Sequence, residues 1–118
     1  MLNKKRILVF TASYNEKENI EKLINGINNN LPEASILIID DNSPDLTKDI
    51  IKKIQLHNDK IELVVREKKL GLDTAHKFAY DYALKNNYDY LITMDADLSH
   101  DPKELPNFVK CLNQNPFV

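Results

Sequence analysis

Tyr90-Leu-Ile-Thr-Met-Asp-Ala-Asp-Leu-Ser-His-Asp-Pro102 begins as an apolar run and ends in acid. Leu91 to Met94 has the length and composition of a buried strand. Two carboxylates one residue apart, Asp95 and Asp97, follow directly. A strand delivers such a pair to the rim of a sheet, where the chain turns. There the acids can share a hard divalent cation, and Mg²⁺ commonly takes one or two carboxylates together with substrate phosphates. A metal-diphosphate site is one reading of the stretch. A plain polar turn is the other, because Asp favours turns. The stretch alone supports both equally.

Upstream, an apolar run followed by a polar cluster occurs three more times. Arg6 to Phe10 reads as a first strand, with residues 11–16, Thr-Ala-Ser-Tyr-Asn-Glu, as its loop. Ile20, Leu23, Ile24 and Ile27 then fall on one helical face. Asn15, with Glu18 three residues on, marks the helix start, and Asn28, Asn29, Asn30 and Pro32 mark its end. Ile36 to Ile39 is a second strand, closed by the turn cluster of residues 40–45. Thr47 is the expected N-cap of a helix that turns Ile50, Ile51 and Ile54 inward. Ile61 to Val65 forms a third strand, followed by a basic loop with Arg66, Lys68 and Lys69 ahead of Gly71. The third helix presents Ala75, Phe78, Ala79, Tyr82 and Ala83 for packing. After the fourth strand, Asp101-Pro102 reads as a cap and first helical residue. Pro106 would clash with the preceding turn if it lay deep in a helix. The helix proper is therefore expected nearer Leu105, with Leu105, Phe108, Val109 and Leu112 as its apolar face.

Four alternations of strand and helix with short connections predict an α/β fold, a Rossmann-like parallel sheet with helices on both faces. Right-handed crossovers leave few topologies, and the expected strand order is 3-2-1-4. Ligands of such sheets bind beyond the carboxyl ends of the strands, where strand order reverses. Every polar cluster follows a strand, so all four gather at one rim. In this order the loop with Tyr14 and Glu16 faces the loop with Asp95 and Asp97.

Composition narrows the partners. The 118 residues suit one domain and carry a formal net charge of -2. No basic stripe points to nucleic acid. The apolar runs are strand-sized, too short for a membrane span or a signal peptide. Cys111 is the single cysteine, which excludes an internal disulfide and suits a cytoplasmic setting.

Familiar phosphate sites are missing. The first loop has no glycine, and Gly26 and Gly71 are the only two in the chain. This rules out the glycine-rich dinucleotide turn and the phosphate loop. An EF-hand starting at Asp95 would put His100 where glycine is needed and Pro106 where a bidentate glutamate is needed. An aspartate-nucleophile phosphatase also uses Asp-x-Asp after an apolar strand. It places its acids on the first strand, however, and keeps more of the domain downstream. His57 and His100 read as solvated loop residues; a surface aromatic is the lesser reading of Tyr14, and a solvated loop is the plain reading of Arg66 to Lys69.

Four blocks together carry a resemblance: Ala-Ser-Tyr-Asn-Glu at 12–16, Ile-Ile-Asp-Asp-Asn-Ser-Pro-Asp at 38–45, Arg-Glu-Lys-Lys-Leu-Gly-Leu-Asp-Thr-Ala at 66–75, and Met-Asp-Ala-Asp-Leu-Ser-His-Asp-Pro at 94–102. In order and spacing they resemble the dolichol-phosphate mannosyltransferases, within the inverting nucleotide-sugar glycosyltransferases of A-type fold. The resemblance implies transfer of mannose from GDP-mannose to a dolichyl or polyprenyl phosphate, with Mg²⁺ or Mn²⁺ as cofactor. It implies that Ala12, Tyr14 and Glu16 line the nucleoside pocket and that Ile39 and Asp41 bound base and ribose. Asp95, Ala96 and Asp97 would hold metal and diphosphate as the catalytic acids and their spacer, and Ser99 would add a metal-side oxygen. Two positions depart from the family pattern: Ala12 stands where proline is usual, and Asp73 stands where a second glycine is usual. If that glycine adopts positive φ, Asp73 would be strained; otherwise it caps the third helix.

The expectation is thus a single nucleotide-sugar-binding domain over residues 1–118, incomplete on its acceptor side. It would work peripherally at the cytoplasmic face of a membrane, with a membrane-anchoring or completing partner. A non-catalytic donor-binding fragment is the alternative.

Overall fold

The computed structural model describes residues 5–41, 44, 46–67, 71–96 and 101–114. Its elements are β1 (Ile7–Ser13), α1 (Ile20–Asn30), β2 (Ser35–Asp40), α2 (Thr47–Gln55), β3 (Ile61–Val65), α3 (Leu72–Lys85) and β4 (Tyr90–Thr93), then a 3₁₀ turn (Pro102–Glu104) and α4 (Leu105–Gln114). The strand pairings are all parallel and the order is β3-β2-β1-β4. The chain therefore adopts the α/β class and the 3-2-1-4 order expected from its alternation.

Ile7 to Phe10 of β1 and Ile36 to Ile39 of β2 are continuously apolar because helices cover both faces of the sheet. Successive side chains point to opposite faces. Ile7 and Val9 of β1, with Ile36 and Ile38 of β2, share a core with Ile20, Leu23, Ile24, Ile27, Ile51 and Leu105 of α1, α2 and α4. Leu8, Phe10, Leu37 and Ile39 pack on the other face against Ala75, Ala79 and Ala83 of α3. The alanines, four residues apart, let α3 lie close to the sheet. Each fully buried Leu or Ile contributes roughly 1.5–3 kcal/mol, so this two-sided centre holds the fold together.

The amino end of the sheet is clasped by Arg6. Its N–H donates to Asp89 Oδ2 at 2.7 Å, and its carbonyl accepts the N–H groups of Asp89 at 2.8 Å and Tyr90 at 3.1 Å. Its guanidinium donates to the Asn86 carbonyl and lies 4.5 Å from the centre of the Tyr88 ring.

Several local expectations are corrected by tertiary partners. β1 does not stop at Phe10. It runs to Ser13 because β2 runs alongside it, pairing Thr11 with Ile38, Ala12 with Ile39 and Ser13 with Asp40. α1 starts at Ile20 rather than at the Asn15–Glu18 pair. Asn15 has φ 57°, the left-handed region that asparagine tolerates, so it turns the chain instead of capping it. α1 also continues through Asn28 and Asn29 to Asn30, whose side-chain amide donates to the Gly26 carbonyl at 2.8 Å. Thr47 is the first residue of α2, not its cap, and its buried hydroxyl accepts the Glu16 N–H at 3.0 Å.

Phe78 and Phe108, which helical spacing puts in packing faces, are 40% and 56% exposed. The α3 alanines and Leu105 fill those interfaces. At the start of α3 the positive φ of 96° falls on Gly71, where glycine carries no steric penalty. Asp73 sits in the first helical turn, where its charge suits the helix N-terminus. The end of the chain follows its sequence pattern. Asp101 caps the 3₁₀ turn by accepting the Lys103 N–H at 3.0 Å, and α4 begins at Leu105, which leaves Pro106 in the first turn. Among the described residues, no helix is long and apolar enough to cross a membrane.

Candidate functional site

The carboxyl ends of the strands form a common rim. β1 lies between β2 and β4. The chain progresses outward from β1 through β2 to β3, then returns to the other side of β1 with β4. That reversal makes the β1–β4 junction the expected ligand crevice.

The β1 loop is held at the rim by α1 and α2. Ala12 is half-buried and pairs with Ile39, which is fully buried in the α3-side core and supports the rim from below. Tyr14 follows, 39% exposed. Glu16 is fixed from several directions. Its N–H donates to Thr47 Oγ1, its carbonyl accepts the N–H groups of Asn19 at 2.9 Å and Ile20 at 2.8 Å, and its Oε2 accepts the Asn19 amide at 3.2 Å.

Asp40 and Asp41 behave differently. Asp40 is fully buried and accepts the Ser13 hydroxyl at 2.9 Å, so it ties β2 to β1. Asp41 is gripped by Arg66, with Nε 2.5 Å from Oδ1 and Nη2 2.9 Å from Oδ2. This forked, charge-assisted geometry is the strong form of an ion pair. Arg66 Nη1 also donates to Thr74 Oγ1 at 2.8 Å, and that hydroxyl donates to the Gly71 carbonyl at 2.8 Å. The network joins the ends of β2 and β3 to the start of α3. Arg66 is thus a rim clamp and not part of a solvated basic loop. No local sequence signal marks the clamp, because it arises from the pairing of β2 with β3. Asp40 pairs with Val65, so the next residue on each strand, Asp41 and Arg66, emerges side by side.

Asp95 is aimed by its neighbours. The Met94 N–H donates to the Phe10 carbonyl at 2.9 Å, which carries the β1–β4 pairing one residue beyond the strand. Met94 and Ala96 are 6% and 5% exposed in the α1-side core, and Asp95 between them is exposed. Continuing the Phe10–Thr93 register brings Asp95 level with Ala12. The structure thus brings Ala12, Ile39, Asp41 and Asp95 to one rim, with Tyr14 and Glu16 on the adjoining loop. Asp97 and Ser99 lie outside the described residues, as do Lys68, Lys69 and His100. His57 is exposed just past α2.

Asp95 offers a hard oxygen donor of the kind Mg²⁺ and Mn²⁺ prefer, so the residue present fits such an ion. Among the described residues no three His, Cys, Asp or Glu gather into a metal cluster. An ion here would draw its remaining oxygens from a bound ligand and from residues beyond that set, as Mg²⁺ does with substrate phosphates.

The sequence profile of glycosyl transferase family 2 matches residues 8–118. The chain belongs to this family. It is 34% identical over 109 residues to a polyprenol monophosphomannose synthase of Mycolicibacterium smegmatis, across 92% of this chain and 41% of that protein. It is 32% identical over 113 residues to an undecaprenyl-phosphate mannosyltransferase of Micrococcus luteus, across 96% of this chain and 46% of that one. The chain therefore spans less than half the length of these relatives. Among solved structures it resembles a mannosyltransferase from Pyrobaculum calidifontis, determined in complex with GDP-Man and Mn²⁺. The TM-score is 0.79 at 23% identity, covering 93% of this chain and 33% of that one. It also resembles residues 1–349 of S. aureus TarS, with a TM-score of 0.71 at 19% identity, covering 94% of this chain and 33% of that one. These neighbours establish the A-type glycosyltransferase fold for the family 2 chain.

Proposed function

We propose that this family 2 chain is the donor-binding part of an enzyme that moves mannose from GDP-mannose to a dolichyl or other polyprenyl phosphate. The observation that carries the reading is its 34% and 32% identity, along nearly its whole length, to two proteins named for mannosyl transfer to polyprenyl phosphates. A structural neighbour solved with GDP-Man and Mn²⁺ supports the donor and the ion.

In this reading Ala12, Tyr14 and Glu16 line the nucleoside pocket, with Tyr14 offering its ring to the base. Ile39 forms the floor and Asp41, oriented by Arg66, meets the ribose. Asp95, Ala96 and Asp97 face the diphosphate, and Asp95, Asp97 and Ser99 hold Mg²⁺ or Mn²⁺. A bound divalent ion neutralises charge on the departing nucleoside diphosphate. The acceptor phosphate is already anionic, so it needs no strong general base among these residues. A lipid acceptor puts the enzyme at a membrane surface, peripherally on the cytoplasmic face, with anchorage from other segments or from a partner chain.

Binding and transfer are tested separately. Calorimetric titration of the purified chain with GDP, UDP and their mannose and glucose esters, with Mn²⁺, Mg²⁺ or chelator, should rank GDP-mannose with an ion first. Equal affinity for UDP-glucose would overturn the donor assignment. Incubation with GDP-mannose and a short polyprenyl phosphate in detergent reads transfer, expected to be well below the enzyme median of ~10 s⁻¹ for these residues alone.

A further inference from the structure

A Cβ placed on Gly26 would stand 2.8 Å from Cγ and 2.9 Å from Cβ of Pro102. Carbon atoms do not approach so closely without displacement, so the proline ring can rest on α1 only because residue 26 has no side chain. Glycine is a poor helix former, and its place within α1 is explained by this approach.

The contact fixes the start of the last helical segment against α1. Pro102 opens the 3₁₀ turn capped by Asp101, whose carbonyl also accepts the Glu104 N–H at 2.9 Å. Leu105 follows directly, 1% exposed, in the same core as Met94 and Ala96. Those two buried side chains flank Asp95 and turn it outward. Displacing Pro102 from α1 would disturb Leu105, which belongs to the same buried cluster as Met94 and Ala96.

We propose that Gly26 is a positioning residue for the metal-side carboxylate: by admitting Pro102 against α1, it holds Leu105 in place and sets the aim of Asp95 from behind. The inference rests on the proposed role of Asp95 at the donor diphosphate. It predicts a split effect. Ion-dependent donor binding suffers, while contacts of the nucleoside with the β1 loop persist.

The test is titration of the purified chain with GDP, with Mn²⁺ and with chelator, for wild type, Asp95→Asn, Gly26→Ala and Pro102→Gly. The wild type should bind more tightly with Mn²⁺, and Asp95→Asn should abolish that gain. Gly26→Ala and Pro102→Gly should each shrink the gain by about fivefold or more, with chelator affinities equal to wild type. Pro102→Gly empties the contact without adding bulk, so it reports even if Gly26→Ala does not fold. A full Mn²⁺ gain in the folded variants, or equal losses with and without Mn²⁺, would overturn the positioning role while leaving Asp95 at the donor. Absence of any Mn²⁺ gain in the wild type would overturn the donor-site reading, and this inference with it.

Discussion

Arg66 holds the Asp41 carboxylate through both of its oxygens, at 2.5 and 2.9 Å, from the adjoining strand end. The two side chains are 12% and 10% exposed, so water competes weakly for the pair. Lysine keeps the charge but not the planar fork. Arg66→Lys is expected to cost about 1–3 kcal/mol of stability in denaturant unfolding. GDP affinity should fall with it, by as much as about tenfold, as Asp41 loses its orientation. Unchanged affinity would take Asp41 out of the pocket.

The Glu16 N–H and the Thr47 hydroxyl join the first loop to α2 at 3.0 Å. Thr47→Val keeps the side-chain shape and removes the acceptor from a buried position. The expected cost is about 1–2 kcal/mol of stability. Hydrogen exchange should quicken at the Glu16 amide relative to amides in β1. If that amide stays equally protected, the loop is held by something else.

Ser13 and Asp40 form a buried bond of 2.9 Å between the last residues of β1 and β2. Asp40 is fully buried, so a lost partner falls on a carboxylate that water cannot reach. Ser13→Ala should therefore destabilise by about 1.5–3 kcal/mol, the range for hydrogen bonds to charged groups. A loss within error of zero on unfolding would show that its other partners suffice.

Thr11 presents the opposite case. Its Oγ1 is buried without a hydrogen-bond partner among the described residues. Thr11→Val exchanges the hydroxyl for a methyl group of similar size. Stability should stay level or rise, by about 1 kcal/mol at most. A clear loss in thermal unfolding would mean that the hydroxyl is bonded after all.

The strands were legible because each is a short apolar run, and the rim residues because each follows a strand. Asp95 at the end of β4 needed no more than that. The polar end of β1 was not legible, since Thr11 and Ser13 carry no strand periodicity and are paired only because β2 continues beside them. Thr47 has the local form of a cap, but a distant amide takes its hydroxyl. The clamp on Asp41 depends on the register of β2 against β3, which no window of either strand contains. Phe78 and Phe108 fit helical periodicity, yet neither is buried, because alanines and Leu105 occupy the core instead. The errors fall where a partner far along the chain outweighs local preference.

The clasp around Arg6 also acts at a distance. By pairing with Asp89 and Tyr90 it fixes which residue of β4 stands opposite Ile7. Strands are stiff and count in twos, so a slip of one residue there would carry Asp95 about 3.3 Å along the sheet and reverse the face it looks toward. The acid would then point at the α1-side core, and Met94 or Ala96 would face the crevice. The location of the carboxylate is in this sense indexed from the opposite edge of the molecule, by an arginine at the far end of the sheet.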